Sequence, residues 1–239
     1  MATDELETLL VIQERDTALD RLRHRRESLP ERAELASRAA ERRERAERRA
    51  GAAGERDAAA AEERRLDQES ASLGSHAAEV DRKLYSGTVT SPRELQAMQA
   101  DLEMLRRQIS EIEDRELEVM ERREAVEGVL AEHDAALADI DGEIARLEAA
   151  IAEAEAVIDA EVADETTRRD ELVAAVGPAL LADYETRRAR NKGAGAARLI
   201  GVTCGACHLT IPATEAEEIR RADGARVAYC DNCSAILVP

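Results

Sequence analysis

From Leu95 onward the apolar residues of this chain return on a seven-residue period for about nine repeats. With Leu95 as position a, the a series runs Leu95, Leu102, Ile109, Glu116, Arg123, Leu130, Leu137, Ile144, Ile151 and Ile158. The d series runs Met98, Leu105, Ile112, Val119, Val126, His133, Ile140, Leu147 and Ala154. A seam kept over this distance predicts a coiled-coil helix. Ser91-Pro92-Arg93-Glu94 marks its start, with Ser91 as N-cap, Pro92 at the first helical position and Glu94 placed to close a capping box. Gly177-Pro178 marks its end. Glu116, Arg123 and His133 interrupt the seam, and isolated polar residues there are expected to fix register rather than bind a ligand.

The preceding stretch is less regular. Leu6, Leu10, Leu19, Leu22 and Leu29 open it, and Leu66, Leu73, Val80 and Leu84 close it, whereas between Leu35 and Leu66 the only apolar residues are alanines. Pro30 is expected to interrupt this helix, because proline removes an intrahelical donor and clashes with the preceding turn. Residues 3–84 and 92–176 give two arms of 82 and 85 residues, separated by Tyr85-Ser-Gly-Thr-Val-Thr90. Nearly equal arms joined by a short Gly-containing turn predict an antiparallel hairpin. At the helical rise per residue each arm would be about 125 Å long. A parallel dimer of continuous helices is the competing arrangement.

Charge favours the hairpin. Residues 1–91 hold 17 basic and 20 acidic side chains, whereas residues 92–176 hold 9 and 25. A parallel dimer would stack the acidic arm on its own copy. An antiparallel hairpin instead sets the Arg-rich arm beside the Glu-rich one. The chain has three Tyr and neither Phe nor Trp, which is a poor basis for a large globular core and a good one for long helices. Its net charge of −18 disfavours sequence-independent nucleic-acid binding by the hairpin, since phosphate neutralisation needs clustered Lys and Arg. No apolar run reaches the roughly 18 residues of a membrane span, and the N-terminal residues lack a signal-peptide pattern. A cytoplasmic protein is expected, with no membrane association.

All four cysteines fall near the C-terminal end, as Cys204-Gly-Ala-Cys207 and Cys230-Asp-Asn-Cys233. Two such pairs at this separation have the spacing of a four-thiolate zinc site. The reducing cytosol favours thiolates on a metal over disulfides. Four protein ligands leave a tetrahedral ion no open position, so one structural zinc is expected, with iron as the alternative metal for the same donors. Cys204-Gly-Ala-Cys207-His208 also spells a c-type haem attachment motif. That chemistry requires export and would leave Cys230 and Cys233 unexplained.

After Gly177-Pro178 the pattern predicts a short helix from Ala179 to about Ala189, then a flexible Asn191–Gly195. A ribbon should follow: a strand into Cys204, a return past Leu209 and Ile211, a helix over Thr214–Arg221, a strand into Cys230 and a last strand at Ala235–Val238. The whole is mainly α: a coiled-coil hairpin over 1–176 with its turn at about 85–91, a short helix and linker over 177–195, and a small four-cysteine zinc ribbon over 196–239.

Arg187, Arg188, Arg190, Lys192 and Arg198 form a basic cluster just before the ribbon. They are candidate contacts for nucleic acid or an acidic protein partner. They also read as cations at a helix C-terminus, favourable with the macrodipole, followed by a solvated linker. No aromatic residues are interleaved for base stacking. The sequence carries no Ser-His-Asp set, phosphate-cradling Gly-rich loop or His cluster, so neither an enzyme nor a small-molecule substrate is expected.

The turn segment Tyr85–Leu95, followed by Gln96-Ala-Met-Gln99, the Leu29-Pro30 break and the two terminal Cys pairs together resemble a bacterial family of coiled-coil hairpin proteins with a four-cysteine zinc-ribbon tail. That pattern usually has Gly and then Arg after the last Cys, where Ser234 and Ala235 stand here. The resemblance implies a non-enzymatic interaction protein; some relatives are implicated in regulating gene expression or assembling surface machinery. The function expected is therefore a zinc-binding adaptor or scaffold with protein partners. The alternative is an RNA- or DNA-binding regulator acting through the basic ribbon end.

Overall fold

A computed structural model describes residues 3–222 and 226–239. The first two residues of the N-terminal reading lie outside it. The chain divides into two compact bodies, one formed by Glu34–Arg146 and the other by the segments on either side of it in sequence. Helix α1 covers Thr3–Glu27, α2 covers Pro30–Tyr85 and α3 covers Pro92–Val173. Together they build a long helical hairpin. The break before α2 falls at Pro30, where the Ser28 hydroxyl and N–H both donate to the His24 carbonyl at 2.7 and 2.9 Å.

Within Glu34–Arg146 the seam residues pack across the two arms. Ala59 and Leu66 meet Ile112 and Val119. Nearer the turn, Ala77 and Leu84 meet Leu102 and Leu105. Cross-arm ion pairs flank this seam: Arg38 with Glu143 at 2.8 Å, Arg49 with Asp134 at 2.5 Å and Arg122 with Glu62 at 2.6 Å. Partner numbers fall along α3 as they rise along α2, which is the mark of antiparallel pairing. These pairs are largely exposed and screened by solvent, so their effect lies in register and direction rather than in stability. Two of the polar interruptions find partners on the first arm, as a register role requires: Arg123 bonds Glu63, and His133 Nδ1 lies 3.4 Å from an Arg45 nitrogen.

At the turn Gly87 takes φ 73°, and the Ser86 and Thr88 hydroxyls bond each other at 2.6 Å. The capping box expected at Ser91 and Glu94 does not form. The first turn of α3 is closed by backbone alone, the Leu95 N–H donating to the Ser91 carbonyl at 3.0 Å. Pro92 already removes one of the orphan donors a cap would satisfy. Among the described residues, no helix is long and apolar enough to cross a membrane.

In the other body, α4 (Pro178–Arg190) follows the hairpin, then β1 (Ala196–Ile200), β2 (Thr203–Cys204), α5 (Ala213–Ala222), β3 (Ala228–Tyr229) and β4 (Ile236–Val238). The strands lie in the order β2-β1-β4-β3. β1 runs parallel to β4, and both outer strands are antiparallel to their neighbours. This sheet does not stand apart. Ile236 and Val238 of β4 share one core with Leu6, Leu9 and Ile12 of α1 and with Leu180 and Tyr184 of α4. The Glu5 carboxylate accepts the Gly177 N–H at 3.0 Å, which places a negative charge at the N-terminus of α4, where the helix dipole favours it.

The linker expected to be flexible is instead held in place. Gln13 of α1 donates to the Gly193 carbonyl at 2.6 Å and accepts the N–H groups of Gly195 and Ala196 at 2.7 and 3.2 Å. Its backbone groups thereby find partners that a free linker would find only in water. Gly195 is also required sterically, because a Cβ there would lie 2.6 Å from the Tyr184 ring and 2.7 Å from its carbonyl. Gly195→Ala should therefore destabilise the body by about 1–3 kcal/mol, the usual cost of overpacking. A thermal midpoint unchanged from the wild type would disprove this clash.

Candidate metal centre

Cys204 ends β2, Cys230 follows β3, and each opens a tight turn that returns its second cysteine. The two turns repeat one hydrogen-bond pattern. The Cys204 carbonyl accepts the His208 N–H at 2.9 Å, while its own N–H donates to the Leu209 carbonyl at 3.1 Å. In the second turn the Cys230 carbonyl accepts the Ser234 N–H at 2.7 Å and the Cys230 N–H donates to the Ala235 carbonyl at 2.9 Å. The residue after each second cysteine takes a left-handed conformation, φ 60° at His208 and 58° at Ser234. Glycine adopts that conformation without strain, which is the physical sense of a Gly where Ser234 stands.

The four sulfurs lie within 4.8 Å of one another, and all four cysteines are free. The Cys204–Cys233 and Cys207–Cys230 separations are 3.8 and 3.7 Å. A tetrahedron with zinc–sulfur bonds of about 2.3 Å has edges of about 3.8 Å, so the donors present fit zinc in type, number and spacing. Such an ion would bind Cys204, Cys207, Cys230 and Cys233 and hold the two turns together. Among the described residues no other His, Cys, Asp and Glu cluster of this kind occurs. His208 is exposed and is placed by its backbone rather than as a fifth ligand.

Cys204 and Cys230 are buried, and Ala235, Leu237 and Ile211 pack with them. Burial pushes the Cys204 and Cys233 thiols up, because a low-dielectric site disfavours the thiolate. Cys207 goes the other way, to about 7, chiefly because the Leu209 N–H is directed at its sulfur. Without a cation, burial disfavours the thiolate at Cys204 and Cys233. A divalent ion reverses that balance.

The basic cluster is largely spent within the fold. Arg187 bonds Asp183 at 2.9 Å and the Ser234 carbonyl at 2.6 Å, and its guanidinium sits 3.7 Å above the Tyr229 ring. Arg188 bonds Asp20 at 2.6 Å, and Arg198 grips both Glu7 oxygens at 2.6 Å. Arg190 and Lys192 remain exposed at the end of α4. Sequence proximity grouped these cations, but the partners of Arg188 and Arg198 come from α1, at the far end of the chain.

One polar group at this base carried no sequence signal. Asp16 is 2% exposed, and its carboxylate accepts Arg169 Nε at 2.7 Å and the Tyr184 hydroxyl at 2.6 Å. Arg188 Nε lies 3.4 Å from the same carboxylate. Burial and the neighbouring carboxylate push the Tyr184 hydroxyl well above its ordinary range, so it stays protonated as the donor. Asp16 thus ties α1 to α3 and α4 beside the ribbon.

Residues 12–192 match the CT398-like coiled coil hairpin domain, and residues 203–237 match the C4-type zinc ribbon domain. The uncharacterised protein Rv2229c of Mycobacterium tuberculosis is 32% identical over 231 residues, covering 97% of this chain and 94% of that protein. A solved structure from Mycobacterium smegmatis has a TM-score of 0.89 at 30% identity, covering 100% of this chain and 98% of that one. CT398 of Chlamydia trachomatis, at 19% identity, shares the fold with a TM-score of 0.76, covering 98% and 97% of the two chains. With hairpin, paired cysteine turns and ribbon all accounted for, this zinc-binding structural protein belongs to the CT398-like coiled-coil hairpin family.

Proposed function

We propose that the protein is a non-enzymatic adaptor of the reducing cytoplasm, in which one zinc ion stabilises a recognition platform at the hairpin base. The observation that carries this reading is the closed donor set: four thiols face one point, so a tetrahedral ion has no position left for water or substrate. The core shared by β4, α1 and α4 supports it further, because the metal then stabilises the surface where ribbon and hairpin meet. A nucleic-acid role through the basic end is less well supported. Arg187, Arg188 and Arg198 are already engaged, which among the described residues leaves Arg190 and Lys192 of that cluster without an ion pair, a small basis for counterion release.

The test is a crosslinked capture from native cells with and without nuclease. A defined set of proteins retained after nuclease treatment is the expected result. Capture that vanishes with nuclease would sink the adaptor reading in favour of nucleic acid.

A further inference from the structure

Two clefts run end to end along one side of α1, sharing Gln13, Thr17 and Ala194. The first, of about 650 Å³, is lined by Arg21, His24, Arg25 and Lys192, with Asp20 as its one carboxylate. Asp20 is already neutralised: Arg23 takes one of its oxygens at 3.0 Å and Arg188 the other at 2.6 Å. Arg25 has one long pairing, 3.4 Å to Glu161, and among the described residues Arg21 and Lys192 pair with no carboxylate. A chain of net charge −18 therefore presents a locally cationic cleft here.

Lys192 is set there by a fixed backbone. It holds φ 52°, a conformation that β-carbon-bearing residues adopt at a cost. The next residue is tied by Gln13 to α1, and the preceding Asn191 donates to the Ala194 carbonyl at 3.1 Å and to the Cys233 carbonyl beside the metal ligands. The second cleft, of about 420 Å³, has a different character. Its walls carry Val11, 39% exposed, and Ile200, 65% exposed, together with Leu10. Glu7 and Glu14 stand on the same walls, and Arg198 is taken by Glu7.

We infer that this two-part groove along α1 is the docking site for a partner-protein segment bearing an acidic run next to large apolar side chains. The inference rests on the adaptor reading and names the kind of partner. The acidic run meets Arg21, His24, Arg25 and Lys192, while the apolar side chains cover Val11 and Ile200. Charge complementarity selects this occupant over a nucleic acid. A phosphate backbone continuing along the groove would meet Glu14 where the peptide places apolar groups, and phosphate contacts need cations along their whole track.

Full-length, zinc-loaded protein should be panned against a library of short random peptides and probed in parallel with a single-stranded RNA. Enriched peptides should combine clustered Asp and Glu with adjacent Leu, Ile, Val or Phe. Their affinity should fall about tenfold in Arg21→Glu with Lys192→Glu, which turns attraction into repulsion, and should weaken with added salt. Ile200→Asp should reduce it independently. Each variant should keep its zinc and its helical signal, since all three side chains are exposed. Enriched peptides without acidic residues would overturn the inference. Peptides that bind but ignore all three substitutions would overturn it too, while leaving an adaptor role standing. RNA captured through Arg21 and Lys192, with no peptide captured, would overturn both.

Discussion

Stripping the metal with a strong chelator, or replacing Cys230 with Ser, should unfold the ribbon while the paired arms of Glu34–Arg146 stay helical. Structural zinc contributes about 10–16 kcal/mol in small zinc-finger peptides, and the core around Leu237, Ile211 and Ala235 is too small to offset such a loss. The damage should spread into α1 and α4, because Leu6, Leu9, Leu180 and Tyr184 are buried against β4. Hydrogen exchange should therefore rise in three places together: residues 196–239, the first turns of α1, and α4. The arms near the turn keep their own core of Ala77, Leu84, Leu102 and Leu105 and should not change.

Acid should mimic the chelator. The bound form is the thiolate, so stability conferred by the metal is present at neutral pH and is lost as falling pH protonates the ligands. In the metal-free protein Cys204 and Cys233 are held protonated by burial, and zinc uptake near pH 7 should release at least their protons. Calorimetry in buffers of different ionisation enthalpy measures that release. A Cys230→Ser chain with full zinc content and a protease-resistant tail would remove the site from these four residues.

What the sequence made visible was whatever repeats or lies close along the chain. The heptad seam from Leu95 to Ile158 needs no tertiary knowledge, because each position is read relative to its own helix. The cysteine pairs are equally local. The turn, the Pro30 break and the start of α3 follow from proline and glycine chemistry at fixed places, whereas α3 stops at Val173, short of the Gly177-Pro178 expected to end it. The parallel pairing of β1 with β4 was not visible, since it joins segments about 40 residues apart through strands of five and three residues. Nor was the anchored linker, whose partner Gln13 lies at the other end of the chain. The partners of the basic cluster were hidden for the same reason: Arg188 and Arg198 stand about ten residues apart in sequence, but both pair with α1 in the fold. Asp16 gave no sign of burial, because it stands among other charged residues, Glu14, Arg15 and Asp20, with nothing local to set it apart.

That buried carboxylate leads to the second large effect. Asp16→Ala should cost about 3 kcal/mol or more, within the range for breaking a buried pair by removing one partner. The loss comes from what is stranded: the Arg169 and Arg188 guanidiniums, 19% and 18% exposed, and the Tyr184 hydroxyl, which is fully buried. Arg169 keeps Glu185 and Arg188 keeps Asp20, so the cost should sit near the lower end of that range. Asp16→Asn tests charge separately from shape. The amide retains an acceptor for one donor but loses the charge that two cations face, so it should fall between wild type and Ala. Removing the whole network should hurt less than removing its centre. A chain with Asp16→Leu and Arg169→Met should recover part of the loss, since apolar groups of similar volume leave fewer orphaned polar atoms. Urea midpoints of the zinc-loaded proteins provide the comparison. An Asp16→Ala cost below about 1 kcal/mol would mean that water and the remaining carboxylates satisfy these cations, and Asp16 would then not be what fastens α1 to α3 and α4.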